Sequence, residues 1–342
     1  MIERQPFGVT AKGEPVTAYL LTNASGMRVK LLDFGAAIAE VWTPDRKGHF
    51  ENAVLSFDSP AGYEEHADAY IGAVVGRVAN RIAGASFMLH GKTYHLGQND
   101  GKNSLHGGVD SYSLRIWGAE LNELRNRVTF KLFSGDGDQN YPGNLWIKVT
   151  YTLTDDGELK ISYQAKADQM TLLNLTNHCY FNLSGKGWGT EILDHKLWIN
   201  GDRITPVDEA LIPTGAFLPV EGTPMDFTVP KTVGRDILAD DEQLKIAGGY
   251  DHNWMLNEGK NQLIFYHPET GRRMTMTTDL PGVQVYSGNF LEEKHSGICF
   301  ETQIPPDAIH HDNFPNCILM PDQEFESETV YRFDVAEDEF WA

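Results

Sequence analysis

Ten residues near the middle of the chain, Asn174 to Leu183 (NLTNHCYFNL), carry one histidine, His178, and no charged side chain. An imidazole gives or takes a proton near neutral pH. Asn174, Asn177 and Asn182 surround it; asparagine forms strands poorly and is costly to bury unpaired. Leu175, Thr176, Tyr180, Phe181 and Leu183 favour extended structure. The segment reads as a strand, or a strand-to-loop corner, that aims His178 from a polar pocket wall. The competing reading is a hydrogen-bonded core histidine.

A carboxylate stands in a comparable setting in Gly297 to Gln303 (GICFETQ). On a strand, Ile298 and Phe300 face one side, and Cys299, Glu301 and Gln303 the other. Partial desolvation there raises the carboxylate's pKa and makes Glu301 a better base. A surface glutamate on a polar strand face is the alternative. Gln284 in GVQVYSGNF carries the same ambiguity, with Tyr286 and Asn289 nearby.

Three turn regions carry more polar side chains than connections need. GRVANRI places Arg77 and Arg81 four apart with Asn80 beside the second, a fork of donors for sugar hydroxyls or two solvated surface arginines. NSLHGG places His106 before two glycines that let a backbone approach a ligand. GGYDHN places Asp251 to accept from two adjacent hydroxyls, with His252 orienting its neighbours; an Asx-type turn explains it equally.

These residues need a rigid support, and the rest of the chain reads as strands. Met27–Phe34, Ala39–Trp42, Ala53–Phe57, Val128–Ser134, Trp146–Leu153, Leu159–Gln164, Leu263–His267, Arg273–Thr278, Val283–Tyr286, Ile298–Thr302 and Tyr331–Val335 carry strand patterning. TDDGE and PETGR mark hairpins. Helical period is confined to Pro60–Tyr70 and Arg235–Ala247. The expected fold is all-β, a large antiparallel β-sandwich with few short helices, as one domain over residues 1–342.

Composition excludes several classes. No apolar run approaches the ~20 residues that span a bilayer, and the N-terminus lacks a signal-peptide core, so a cytoplasmic location is expected. Cys179, Cys299 and Cys317 show no zinc spacing and read as free thiols. A formal net charge of −20 argues against nucleic acid and anionic membrane as partners. There is no GxSxG elbow, P-loop, HExxH or dinucleotide fingerprint, and His310–His311 forms no metal cage.

In one order along the chain stand GRVANRI, NSLHGG, SGDGDQNYPGNL, TNHCYFNL, GGYDH, GVQVYSGNFL and ETQIPPD. Together they make the chain, from about Thr22 to Phe333, resemble the aldose 1-epimerases, the galactose mutarotase family. The resemblance implies the galactose mutarotase-like supersandwich and interconversion of α and β anomers of hexoses such as galactose and glucose. It implies no metal and no organic cofactor. It makes His178 the general acid and Glu301 the general base. It assigns sugar binding to Asn80, Arg81, His106, Tyr180, Asp251 and Gln284. A hexose substrate and a monomer or homodimer are expected. The run LMPDQEF, with Met320 and Asp322, departs from the family's usual arginine before a Pro-Gly pair, and Cys179 stands where a small polar residue is common. Both departures bear on sugar preference rather than reaction type. The competing functions are a hexose-phosphate 1-epimerase, a non-catalytic sugar-binding module and a glycoside hydrolase.

Overall fold

Along Leu145–Leu153 the odd-numbered residues are buried and the even-numbered ones face outward or half outward. That period of two forces one face of a sheet onto a core. The same alternation runs through Glu158–Ala167, and the two strands pair antiparallel across the TDDGE turn. In the computed structural model, which describes residues 2–336, they lie inside a nine-stranded antiparallel sheet. Its order is Gly118–Asn122, Arg127–Ser134, Leu145–Leu153, Glu158–Ala167, Glu324–Val335, Arg272–Thr278, Leu263–Tyr266, Lys196–Ile199 and Lys231–Thr232. The expected span 1–342 ends in Met1 and residues 337–342, which lie outside the described residues.

A six-stranded sheet packs against it, in the order Tyr180–Phe181, Ile298–Gln303, Gly282–Tyr286, Asp251–Met255, Arg203–Thr205 and Leu218–Pro219. Val283, Val285, Ile298, Phe300 and Trp254 share one core with Phe265, Met274, Tyr331 and Phe333 of the larger sheet. The rings of Phe265 and Phe300 lie 5.2 Å apart, edge to face, and Tyr331 Oη donates to Phe300 O at 2.9 Å. Fully burying one such side chain stabilises by about 1.5–3 kcal/mol. The alternation that sends Phe300 inward sends Cys299 and Glu301 to the opposite face, as the sequence indicates. A five-stranded meander, Ile2–Val9 to Phe50–Asn52, completes the wall through Val16, Ala18, Leu32 and Ala39, which cluster with Tyr180, Tyr286 and Cys299.

Some expectations shift. The strand expected at Ala53–Phe57 is instead Phe50–Asn52. Asn52 Oδ1 accepts from Val41 N and its Nδ2 donates to Val54 O, which turns the chain off the sheet edge. Pro60–Tyr70 resolves into a helix at Pro60–Glu65 and a 3-10 turn at Ala67–Ala69. Arg235–Ala247 keeps only Glu242–Ala247 as α-helix, capped by the Asp241 carboxylate at its start and by Gly248 at φ 68° after its end.

Candidate active site

His178 stands where the chain passes from one ladder to another. Thr176–Asn177 pairs with Val74–Val75, and Tyr180–Phe181 pairs with the Ile298–Gln303 strand. Between them His178 N donates to Ala73 O at 2.8 Å, and its carbonyl accepts from Gly72 N at 3.0 Å. The corner reading holds; the pocket-wall reading of the asparagines does not. Asn174 clasps the backbone of Ile304 by both side-chain atoms. Asn177 donates to Gly72 O, and Asn182 to Thr190 O and Ser296 O. All three face backbone because the irregular corner leaves carbonyls that need donors.

Glu301 reaches the same point from the neighbouring strand. Its Oε1 lies 3.6 Å from His178 Nε2, and both side chains are buried. Cys299 Sγ lies 3.5 Å from the other ring nitrogen, Nδ1. Glu301 Oε2 is buried with no hydrogen-bond partner, an unmet demand beside the cleft that the residue lines. The cleft itself is an open cavity of about 610 Å³, lined by Asn80, Arg81, His106, His178, Tyr180, Asp251 and Glu301 among others.

The binding candidates converge with two qualifications. Ser104–Leu105 pairs with Arg81–Ile82, which places His106 against Asn80. Asn80 N donates to His106 Nδ1 at 3.1 Å, so the ring presents Nε2–H to the cleft. Gly107 has no alternative: a Cβ there would sit 1.9 Å from Gly76 O. Arg81 Nε donates to Asp100 at 2.6 Å, which leaves the rest of its guanidinium for the cleft. Asp251 receives Gln284 Nε2 at 2.7 Å. Gln284 itself does not line the cavity; it sits between Asp251 and Glu301 on the sheet and holds Asp251 from behind. His252 is buried, and its Nδ1 accepts from Asp251 N, the orienting part expected for it.

Arg77 departs most from expectation. It is neither a cleft donor nor a surface residue, being 1% exposed. Its guanidinium donates to Pro142 O at 2.7 Å, Gly143 O at 3.1 Å, Thr171 Oγ1 at 3.0 Å and Ser134 Oγ at 2.7 Å. Buried carbonyls need a donor, and the five N–H groups of arginine supply several at once.

Sequence reading missed an aromatic rim. Tyr70 sits 4.6 Å from the His106 ring and 5.7 Å from the His178 ring, and Phe57 stacks on Trp188 at 5.3 Å. It also missed Glu65, Asp68, Glu292 and Glu293 at the mouth. The aromatic and acidic residues around Phe57–Tyr70 were the available signal.

Burial sets the electrostatics. Desolvation lowers His178 to about 4. Desolvation, then the nearby Asp251 charge, holds Glu301 well above the usual carboxylate range, against the opposing pull of Arg81. His106 is driven well below its ordinary value by burial, then by His178 and Arg81. Asp251 is raised by burial, opposed by Arg81 and the Gln284 bond. Burial disfavours the charged form of each group, pushing Glu301 toward its acid and His178 toward neutral imidazole. His106, His178 and Glu301 also bring donor atoms within 4.8 Å of one another, close enough to hold a cation. An acid, a base and a hydroxyl donor around one small ligand require the same convergence.

A face-to-face β-sandwich whose smaller sheet carries a buried histidine–carboxylate pair in an open polar cleft is the mutarotase type of protein. The chain belongs to the aldose 1-epimerase family, whose model matches residues 17–332. It is 40% identical to galactose mutarotase of Bos taurus over 349 aligned positions, covering 98% of this chain and 99% of that one. It is 37% identical to aldose 1-epimerase of Escherichia coli K12, covering 94% and 96%. Among solved structures, galactose 1-epimerase from Lactobacillus acidophilus superposes with a TM-score of 0.88 at 29% identity, covering 98% and 99%. The aldose epimerase homologue from C. elegans superposes at 0.86 with 31% identity, covering 93% and 98%.

Proposed function

We propose that this protein is an aldose 1-epimerase, an isomerase that interconverts the α and β anomers of free hexoses such as galactose and glucose. The observation that carries the reading is the His178–Glu301 pair, 3.6 Å apart at the floor of a cleft with hydroxyl-binding groups around it.

Glu301 as carboxylate takes the proton from the C1 hydroxyl. His178 as imidazolium gives its proton to the ring oxygen. The C1–O5 bond breaks with its electron pair left on O5, and C1–O1 becomes a carbonyl. Rotation about C1–C2 presents the other carbonyl face, and the same transfers run backward. The pKa directions support this sequence. Burial makes Glu301 the stronger base and His178 the stronger acid. The neutral pair that burial favours is the pair present while the ring is open, so each group is driven toward that state. Each positioned proton-transfer group contributes about 10²–10⁴-fold. Asn80, Arg81, His106 and Asp251 bind hydroxyls, Tyr180 walls the site, and Gln284 positions Asp251.

The acidic mouth supports a neutral sugar over a phosphorylated one. Glu65, Asp68, Glu292 and Glu293 repel a dianion, and Arg81 is already paired with Asp100. The net charge of −20 likewise supports a small sugar rather than nucleic acid or anionic membrane as partner. The three cysteines are free and buried, which supports a reducing compartment, the cytoplasm. Among the described residues no helix is long and apolar enough to cross a membrane. The protein acts as a monomer or homodimer. Polarimetry of freshly dissolved α-galactose and α-glucose tests the activity: rotation reaches its end value faster with protein present, and an unchanged trace for both sugars overturns the reading.

A further inference from the structure

Outside the cleft, Asp194, His195 and His267 converge at one end of two neighbouring strands. Asp194 and His195 directly precede Lys196–Ile199, His267 directly follows Leu263–Tyr266, and the two strands pair with Lys196 opposite Tyr266. Asp194 Oδ1 lies 2.8 Å from His195 Nδ1, and Oδ2 lies 3.3 Å from His267 Nε2. One donor atom from each of the three residues falls within 4.8 Å of the other two. None of them lines the cleft.

The bland reading is an aspartate hydrogen-bonded to two histidines. Three observations go further. Both imidazoles are buried, with ring centroids 4.4 Å apart, so neither reaches solvent. His195 is seated against Phe265 at 4.9 Å, and its Nε2 has no partner, which leaves Nδ1 as its one engaged nitrogen. His267 Nδ1 lies 3.0 Å from Thr270 Oγ1, and that hydroxyl donates to Leu183 O at 3.1 Å. Thr270 N also donates to Nδ1 at 3.3 Å, so without a metal Nε2–H donates to Asp194; with Nε2 bound to a metal the other tautomer forms, and Thr270 Oγ1 accepts from its Nδ1–H. An oxygen acceptor beyond the far nitrogen is the support that a metal-ligating imidazole receives.

We propose that Asp194, His195 Nδ1 and His267 Nε2 form a binding site for a divalent transition metal, with Zn²⁺ the best match. Two neutral imidazoles and one carboxylate are the ligand types zinc takes, and tetrahedral bonds of about 2.0–2.2 Å separate neighbouring ligand atoms by roughly 3.3 Å. The His267–Asp194 separation of 3.3 Å matches that value, and the His195–Asp194 separation of 2.8 Å must widen by about half an ångström as the ion enters. Asp194 is 64% exposed, so its carboxylate swings outward to admit the ion and leaves a position for water. Bound there, the metal ties the 194–195 turn to the 267–270 turn, far from the chemistry.

The test is Zn²⁺ titration by calorimetry on chelator-treated full-length protein, with thermal unfolding in parallel. The variants are Asp194→Asn and Glu301→Gln. The second removes the other convergent donor set and leaves this one intact. Glu301→Gln retains a saturable Zn²⁺ site and a Zn²⁺-dependent rise in Tm. Asp194→Asn keeps wild-type mutarotation but loses the remote site: Zn²⁺ affinity falls by more than about tenfold and Zn²⁺ no longer raises Tm above the variant's own metal-free value. Absence of saturable binding in Glu301→Gln, or wild-type Zn²⁺ affinity in a Glu301→Gln/Asp194→Asn double variant, overturns the proposal. Mutarotation is read separately, so failure here leaves the epimerase reading standing.

Discussion

Glu301→Gln separates the chemistry at this site from its architecture. The amide keeps the side chain's shape and still meets a sugar hydroxyl, but it cannot accept the C1 proton. Losing one general base costs about 10²–10⁴ in kcat, which is about 3–5 kcal/mol of barrier. KM changes little, because Arg81, His106 and Asp251 stay in place. Stability moves the other way. The folded-state pKa of Glu301 lies above its ordinary value of 4.5, mainly through burial. A raised carboxylate stabilises the fold only in its protonated form. Its stabilising contribution is present below the unfolded pKa and is lost as pH rises toward the folded one. At pH 7 the wild-type protein carries that penalty and the glutamine variant does not. Urea unfolding at pH 7 therefore gives a midpoint for Glu301→Gln at or above wild type, and the advantage shrinks toward pH 4. Polarimetry reads kcat on the same samples. Turnover within tenfold of wild type refutes the base assignment, and a lower midpoint at pH 7 refutes the burial argument.

Further outcomes follow from the same geometry. His178→Asn lowers kcat by about 10²–10⁴ with KM near wild type; a rise in KM alone makes His178 a binding residue only. Gln284→Leu frees the Asp251 carboxylate from a charged hydrogen bond worth about 1.5–3 kcal/mol, so KM for galactose rises about tenfold or more while kcat holds. Arg77→Met leaves the carbonyls of Pro142 and Gly143 without their donor and destabilises by about 3 kcal/mol in urea, with normal kcat in the folded fraction. Mutarotation below the unfolding temperature survives EDTA, because the proton transfers run through His178 and Glu301; loss of activity reversed by added Zn²⁺ contradicts that.

Periodicity carried the scaffold further than the site. TDDGE and PETGR mark two real hairpins because short turns and alternating burial are local properties. The alternation in ICFETQ places Glu301 opposite Phe300 for the same reason. Arg77 and Arg81 show where local reading ends. They sit four apart in one motif, yet one is enclosed by carbonyls from residues 134–143 and the other reaches the cleft. Nothing within seven residues distinguishes them, because the partners arrive from elsewhere in the chain. The asparagines around His178 misled for a related reason: their polarity answers backbone carbonyls rather than a ligand. Gln284 shares the catalytic sheet face but is screened by Asp251, a matter of depth that strand period does not encode. The acidic mouth is likewise assembled from two distant segments.

The pairing of Tyr180–Phe181 with Ile298–Gln303 sets His178, two residues before that ladder, beside Glu301 within it, while Ala73 and Gly72 hold the His178 backbone. Neither can drift independently on warming: whatever loosens those few backbone bonds misplaces donor and acceptor at once. Heat inactivation should thus track melting of the whole sandwich, with catalytic rate serving as a gauge of an intact sheet. A slip of that strand by a single step would swap Glu301 for a core phenylalanine, so partially mispaired molecules would be silent rather than sluggish.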